Sequence, residues 1–435
     1  MREPNPSGRI AAVACLFLLA SACGGSSSTD PGGTTPTPPQ VTVGESLASG
    51  EAKLQTGMAT LSTSDLLAAA NAFRAAASAA SVDPTATQAQ KDEASFFGAA
   101  ALLAVVADPS SSTAATGTLE TFGSLLDAYG LGGSALDRAH LDTIRFVDCT
   151  ASGCTLKTFP PNSPNSRDVQ AFLLLKAGGA LQGVAAALGN VSPSFQHRLT
   201  VRNTVIEFDQ TDALALQALA HALLGLVQVQ RAYDLGIDVD ALQAALRPGM
   251  PALDGGAFLA ANPSLGTLTD ASQLTAARAS FLAAIASARA GVASLRAETD
   301  DQANDVLKLA RTACTFGAPP TYGYSCTTTY NASADLDGFL ASLDQAATII
   351  GATGPVTVSG VLVDPTRFFA GIDLRSKLPT AWNAGPRGNL PGPFPDVTFG
   401  GLFVDGLPRA NLDANGDGSP DWLANLRWNF RLPRL

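Results

Sequence analysis

Residues 213–229, with the sequence ALALQALAHALLGLVQV, decide the fold class of this chain. Their leucines and valines recur at helical spacing, and no side chain among them carries a formal charge. Gln217, His221 and Gln228 are polar side chains that suit the contacts inside a bundle better than the interior of a membrane. We therefore predict a buried central helix, in which His221 is a core histidine with satisfied hydrogen bonds. Residues 177–191 are also uncharged and predict a second central helix.

Helical periodicity extends on both sides of this stretch, from about Gly44 to about Gly351. Ser64, Thr211 and Asp270 offer side-chain acceptors where helices would start, and prolines fall in the gaps. These patterns predict a mainly α protein of stacked helical hairpins. The predicted helices are Glu45–Leu61, Ser64–Ala80, Thr87–Ala107, Thr116–Tyr129, Ser134–Phe146, Arg167–Leu188, Thr211–Tyr233, Val239–Leu246, Asp270–Thr299, Asp301–Cys314 and Ser333–Ile350.

Two stretches alternate with a period close to two, Arg198–Phe208 and Pro355–Val363. We expect them to pair as a small β ribbon on the helical body. Beyond Asp364 the chain becomes rich in Pro, Gly and aromatic residues, which suit neither a helix nor a central strand. The sequence thus predicts a helical domain over residues 44–352 and an irregular C-terminal segment over residues 353–435 that packs over it.

The first predicted hairpin carries a spacing of small and aromatic residues. Gly57 lies on its first helix, and Ala69, Phe73 and Ala76 share one face of the second. This spacing resembles the tetratricopeptide repeat family, in which small residues let two antiparallel helices approach and an aromatic side chain fills the gap. A generic alanine-rich hairpin with Phe73 in its core explains the same residues. In either case the pair needs neighbours to bury its second face.

The N-terminus has the pattern of an exported, lipid-modified protein. A basic start is followed by an apolar run from Ile10 to Ala20 and then by the small residues that precede Cys23. This segment resembles the signal peptides of bacterial lipoproteins, although Ala20 replaces the leucine that is usual three residues before the cysteine. The resemblance implies removal of residues 1–22 and lipidation of Cys23. An ordinary signal peptide cleaved nearby is the alternative. Residues 23–43, rich in Gly, Ser, Thr and Pro, then form a disordered tether.

The charge balance restricts the partners. The formal net charge is −10, and no cluster of Lys and Arg occurs that would bind nucleic acid. The same balance disfavours adhesion to anionic lipid, so we expect the lipid on Cys23 to provide membrane attachment. We expect localisation in the cell envelope at the outer membrane, facing the periplasm or the exterior.

Four cysteines remain after Cys15 is removed and Cys23 is lipidated: Cys149, Cys154, Cys314 and Cys326. An even number in an oxidising compartment favours disulfides, and the short spacings favour 149 with 154 and 314 with 326. A four-cysteine zinc site is the alternative.

The C-terminal segment contains a loop with the spacing of a cation site. Asp413, Asn415 and Asp417 occupy alternate positions, Gly418 follows, and Asp421 adds a further acid. The loop resembles the calcium loops of thrombospondin type 3 and dockerin repeats. Ala424 stands where an EF-hand places its bidentate Glu, so we expect weak, structural Ca²⁺ binding. A turn without metal is the alternative.

Signatures of catalysis are missing from the sequence. There is no G-x-S-x-G elbow, no H-E-x-x-H and no phosphate-binding loop, and the three histidines are dispersed. We therefore expect a non-enzymatic protein-interaction or scaffold lipoprotein. A solute-binding lipoprotein that feeds a transporter is the first alternative, and an envelope hydrolase is the second.

Overall fold

Helices dominate the described part of the chain, and a small β ribbon accompanies them, so the predicted fold class is confirmed. The computed structural model describes residues 42–60, 63–107, 119, 122–130, 147–150, 153–156, 159–160, 163–201, 204–237, 255–299, 304–307, 310–316, 324–378, 382–385, 388–391 and 395–406. The helices are α1 Val43–Thr60, α2 Thr63–Val82, α3 Gln88–Ala107, α4 Phe122–Ala128, α5 Ser166–Phe172, α6 Gly178–Leu188, α7 Gln210–Ala232, α8 Gly255–Ala261, α9 Ala271–Ala297, α10 Ala332–Gly351 and α11 Pro365–Gly371.

These helices pack in a chain of neighbouring layers. α1 and α2 form a hairpin, α3 packs on α2, and α6 packs on α3. α7 lies between α6 and α9, and α9 in turn contacts α10 and α11. The uncharged stretch around residues 213–229 is therefore part of a central helix, as its composition predicts.

Most predicted helices lie within a few residues of the observed bounds. The predicted helix Arg167–Leu188 is continuous but includes a π-helical turn, Leu173–Ala177, between α5 and α6. The start predicted for α7 is slightly wrong, because Asp209 rather than Thr211 is the capping residue and accepts a hydrogen bond from the Asp212 amide. Asp270 caps α9 as predicted. The predicted helices Ser134–Phe146 and Val239–Leu246 lie outside the described residues, as does the beginning of Thr116–Tyr129.

The strands form two-stranded antiparallel hairpins: β1 Val147–Thr150 with β2 Gly153–Leu156, β3 Gln196–Val201 with β4 Thr204–Asp209, β5 Ala310–Phe316 with β6 Tyr324–Asn331, β7 Val356–Val358 with β8 Val361–Val363, and β9 Trp382–Gly385 with β10 Gly388–Pro391. The two alternating stretches do not pair with each other as expected, since each folds back on itself. At β7–β8 the turn residues Ser359 and Gly360 have φ values of 51° and 83°, the conformation that favours a tight hairpin.

The prediction of a helix over Asp301–Cys314 is wrong at all of its described residues, since residues 304–307 are not helical and Asp305 bridges to Glu207 of β4. Residues 310–316 form β5, which pairs along its length with the threonine-rich β6. Threonine is stiff at χ1 and favours strands. The backbone register places Thr312 opposite Thr329. The local sequence pattern of residues 301–314 contains no information about this partner strand.

The larger hydrophobic core lies where α1, α2, α3, α6, the β3–β4 hairpin and the start of α7 meet. Phenylalanines dominate its centre: Phe96 packs against Phe97, Phe195 and Phe208, with ring centroids 5.1–5.4 Å apart. Phe73 is 2% exposed and stacks on Phe97 at 5.0 Å, so its predicted core role is confirmed. A smaller core joins the end of α7 to α9 and α11.

Within the described residues, two helical stretches, Ser166–Leu188 and Gln210–Ala232, are long and apolar enough to cross a membrane. Their polar side chains instead make contacts within the bundle. Gln217 donates to the carbonyl oxygen of Ala185 at 3.2 Å and accepts from Ser287 at 3.0 Å. Gln228 accepts from Ser280 at 2.8 Å. These contacts agree with the prediction of central bundle helices.

Candidate functional site

Three metal-ligand side chains from distant parts of the sequence meet beside the larger core. They are Glu51 on α1, Glu93 on α3 and His197 on β3. Glu51 Oε1 lies 3.0 Å from His197 Nε2, and Glu93 Oε2 lies 3.8 Å from His197 Nδ1. One donor atom from each residue falls within 4.8 Å of the other two.

The two helices that carry the carboxylates begin in the same way. At α1 the Glu45 amide donates to Thr42 Oγ1 at 3.2 Å, and the Glu45 carboxylate accepts from the Thr42 amide at 2.9 Å. At α3, Thr87 and Gln90 exchange the equivalent bonds at 3.3 and 3.0 Å. These capping boxes satisfy amides that a helix leaves free, and they fix where each helix starts. They therefore stabilise the N-terminal ends of the two helices that carry the glutamates.

The aromatic core holds His197 between the helices. Glu93 and Phe97 lie one turn apart on the same face of α3, and the Phe97 ring meets the His197 ring edge-on, 5.1 Å away at 78°. On the other side, His197 pairs with Phe208 across the β3–β4 hairpin. Phe208 also packs against Phe97 at 5.5 Å. The imidazole is thus positioned by the same phenylalanines that form the core.

The site is mostly buried but open on one side. The side chains of Glu93 and His197 are 15% and 16% exposed, whereas that of Glu51 is 32% exposed. Among the described residues, the buried atoms Glu93 Oε1 and His197 Nε2 have no hydrogen-bond partner. Although Glu51 Oε1 is near His197 Nε2, their alignment is not that of a hydrogen bond. Such buried polar atoms are costly when no partner satisfies them.

The pKa values at this site are shifted because its carboxylates and imidazole are largely buried. Burial, together with the charge of Glu51, raises the pKa of Glu93 to about 8. Burial also lowers the pKa of His197, against the opposing effect of Glu51. Both shifts disfavour charge at this site. The arrangement can hold a shared proton between Glu51 and Glu93, or a cation between all three side chains.

A second group of carboxylates lies at the start of α7 and is explained by capping. The Asp209 carboxylate accepts from the Asp212 amide at 3.1 Å, and the Asp212 carboxylate accepts from the Asp209 amide at 3.2 Å. Thr211 donates to Glu298 at 2.6 Å. Burial raises the pKa of Asp212 well above its usual value. Burial and then Asp209 and Asp305 raise the pKa of Glu298 to about 7, against the hydrogen bond from Thr211.

Only some of the predicted site residues lie in the part of the chain that the structure describes. Cys23 and the loop residues Asp413, Asn415, Asp417 and Asp421 lie outside the described residues. The four cysteines lie on described strands. The backbone register places Cys149 opposite Cys154 in β1–β2 and Cys314 opposite Cys326 in β5–β6, the two pairs favoured by spacing. The disulfides themselves stay a prediction.

Sequence reasoning misjudged the histidines. It described His221 as satisfied, but its buried Nδ1 has no partner within the described part of the chain. Because the three histidines are dispersed in sequence, no histidine-based metal site is expected, and the proximity of His197 to Glu51 and Glu93 is not predicted. No local signal marks this trio. The three residues are connected through Phe97, which lies four residues after Glu93 on α3 and packs against His197 of β3.

Comparison with known proteins found no matching family model, no matching curated protein and no matching solved structure.

Proposed function

We propose that this chain is a lipid-anchored, non-enzymatic interaction or scaffold protein of the bacterial cell envelope. The lipid on Cys23 would attach it to the outer membrane, and the tether of residues 23–43 would hold the helical body at a distance. The body would then bind a protein partner. The resemblance of the N-terminus to lipoprotein signals supports the location, and a surface on the helical body supports the binding role.

The observation that carries the binding role is a set of exposed leucines on two adjacent helical segments. Leu175 is 73% exposed, Leu226 52% and Leu223 36%. Leu223 and Leu226 share one face of α7. A β-carbon on Gly178 would be 3.3 Å from Val227, so the turn that carries Leu175 runs beside this part of α7. We call Leu175, Leu223 and Leu226 the leucine patch.

The surroundings of the leucine patch favour a protein partner. α5, which leads into the turn that carries Leu175, is hydrogen-bonded to the end of α7. Gln170 donates to the carbonyl oxygens of Gln230 and Tyr233 at 2.7 and 2.6 Å. Both segments are therefore held by the bundle and still expose apolar side chains. Neighbouring exposed apolar residues mark interaction surfaces more often than chance placement. An amphipathic helix of a partner would bury such a patch.

The test places a photo-crosslinking amino acid at Leu226 or Leu175 in intact cells. The matched control carries it at Val82, which is also 73% exposed but lies at the end of α2. We expect a discrete protein adduct from the patch positions and not from Val82. Leu223→Lys should abolish that adduct while leaving the circular dichroism spectrum unchanged.

Two outcomes would overturn the proposal. Equal adducts from Val82 and the patch would show that contact does not depend on this surface. Adducts with lipid alone would show that the leucine patch contacts the membrane and not a protein partner.

We also propose that Ca²⁺ binds the loop from Asp413 to Asp421 and orders the C-terminal segment. The support is the alternation of oxygen ligands in the sequence. This binding would be structural and independent of the leucine patch.

A further inference from the structure

We propose that Glu51, Glu93 and His197 form a binding site for a divalent first-row transition-metal ion of the Zn²⁺ class. This site goes beyond the proposed interaction function and does not depend on it. Four observations support it: the donor set, the separations, the unpartnered atoms and the rigid placement of the ligands.

The donor set selects the class of ion. One imidazole nitrogen and two carboxylate oxygens suit Zn²⁺, Mn²⁺ or Fe²⁺. Ca²⁺ takes six to eight oxygen ligands, and soft ions such as Cu⁺ prefer sulfur, so neither matches this trio. Among divalent ions of this class, Zn²⁺ is the natural first probe because it accepts three protein ligands and one open position.

The separations are close to those that coordination requires. Two ligands each about 2.1 Å from a tetrahedral ion lie about 3.4 Å apart. Glu51 Oε1 lies 3.0 Å from His197 Nε2, and Glu93 Oε2 lies 3.8 Å from the other ring nitrogen, Nδ1. An ion bound at one of these nitrogens therefore requires the carboxylate beside the other nitrogen to turn toward it. All three donor atoms already fall within 4.8 Å. Rotation of the partly exposed Glu51 supplies the remaining movement, on the order of 1 Å.

The unpartnered atoms indicate what the site lacks. Glu93 Oε1 and His197 Nε2 are buried and make no well-aligned hydrogen bond among the described residues, and the near neighbour of His197 Nε2 is Glu51 Oε1 at 3.0 Å. A metal ion would accept electron pairs from such atoms and offset the repulsion between two nearby carboxylates.

The placement of the ligands is rigid and leaves access to solvent. They come from three separate elements that the phenylalanine core holds together, and Phe97 orients the imidazole. Glu51, at 32% exposure, marks the route by which an ion enters. Three protein ligands and an accessible fourth position are typical of exchangeable or substrate-binding sites rather than closed structural ones.

The test titrates the chelator-treated full-length chain with Zn²⁺ against a competing indicator. We expect wild type to have one site that is lost in Glu51→Gln, Glu93→Gln and His197→Gln. Removal of an outer partner weakens metal binding about 10–100-fold, so loss of a direct ligand should weaken it at least about 10-fold. The matched control is His221→Gln, which removes another histidine with an unpartnered buried nitrogen and should change the affinity less than about 2-fold.

Titration with Co²⁺ separates this site from the cysteines. We expect the bound Co²⁺ to give an absorption spectrum that lacks a thiolate charge-transfer band. This spectrum should be lost in the three ligand variants. Circular dichroism checks that each variant folds, and the partly exposed Glu51→Gln keeps the test valid if a buried substitution unfolds the chain. Equal affinity in wild type and Glu51→Gln, or an equal loss in His221→Gln, would overturn the proposal.

Discussion

Replacing Gly50 with alanine should destabilise the protein, although alanine is the better helix former. Gly50 lies on α1 where that helix meets α2. A β-carbon at this position would be 2.8 Å from Phe73 Cε1, 2.9 Å from Cδ1 and 3.0 Å from Cζ. Ordinary contacts between such atoms are about 3.5–4.0 Å, so the ring or the helix must move by about 0.5–1 Å.

Phe73 has no room for that movement. It is 2% exposed and stacks on Phe97 with a centroid distance of 5.0 Å. Phe97 in turn contacts Phe96 and the His197 ring, both at 5.1 Å. A shift of Phe73 would therefore be passed to the candidate metal site.

The two opposing energies set the magnitude. Overpacking a well-packed core costs about 1–3 kcal/mol. The change from glycine to alanine within a helix returns about 1 kcal/mol. We expect a net loss of about 1 kcal/mol in the free energy of unfolding. Gly338→Ala on α10 is the matched control, because nothing lies within 4 Å of its added β-carbon. It should gain about 0.5–1 kcal/mol.

Urea unfolding followed by circular dichroism would measure both variants, which should differ by about 2 kcal/mol. A second pair, made in a Phe73→Leu background, isolates the ring contact. There Gly50→Ala should no longer be destabilising. Our reasoning is refuted if Gly50→Ala gains as much stability as Gly338→Ala, or if the Phe73→Leu background leaves its cost unchanged.

Other parts of the structure lead to further predictions. The pKa of Glu298 is raised from 4.5 to about 7, so the folded state retains a proton that the unfolded state releases. The contribution of Glu298 to stability should therefore fall as pH rises from about 4.5 to 7, and Glu298→Gln should reduce the difference in the free energy of unfolding between pH 5 and pH 8 in urea. The raised pKa values of Glu93 and Asp212 act in the same direction and remain in this variant. Asp92 is 1% exposed and accepts hydrogen bonds from both the amide and the hydroxyl of Ser192, so Asp92→Ala should lower the free energy of unfolding by about 3 kcal/mol, and a loss below about 1 kcal/mol would contradict this. Chelating calcium should increase proteolysis of the C-terminal segment in wild type but not in an Asp413→Ala, Asp417→Ala variant, which should already be sensitive without chelator.

Local patterns predicted much of the fold because neighbouring residues produce them. The apolar spacing around residues 213–229 predicted α7, and the capping side chain of Asp270 predicted the start of α9. The same reasoning failed at β5, where Ala310–Phe316 becomes a strand only because β6 pairs with it. A partner strand more than a turn away in sequence leaves no mark on local periodicity.

The candidate site could not be predicted from local sequence patterns for the same reason. Each of Glu51, Glu93 and His197 is unremarkable among its sequence neighbours. Their proximity depends on how α1, α3 and β3 pack around Phe97. Packing of this kind is set by the shapes of side chains that are far apart in sequence.

The sequence alone determined the helical class, the uncharged and apolar character of the central helices and most of the helix bounds, because hydrophobic period and capping act over a few residues. It also supplied the expectations for Cys23 and for the calcium loop. Only the tertiary structure decided that two glutamates and a histidine lie within 4.8 Å of one another, and that leucines on α7 stay exposed. The physical reason is that contact distances between elements follow from packing in three dimensions.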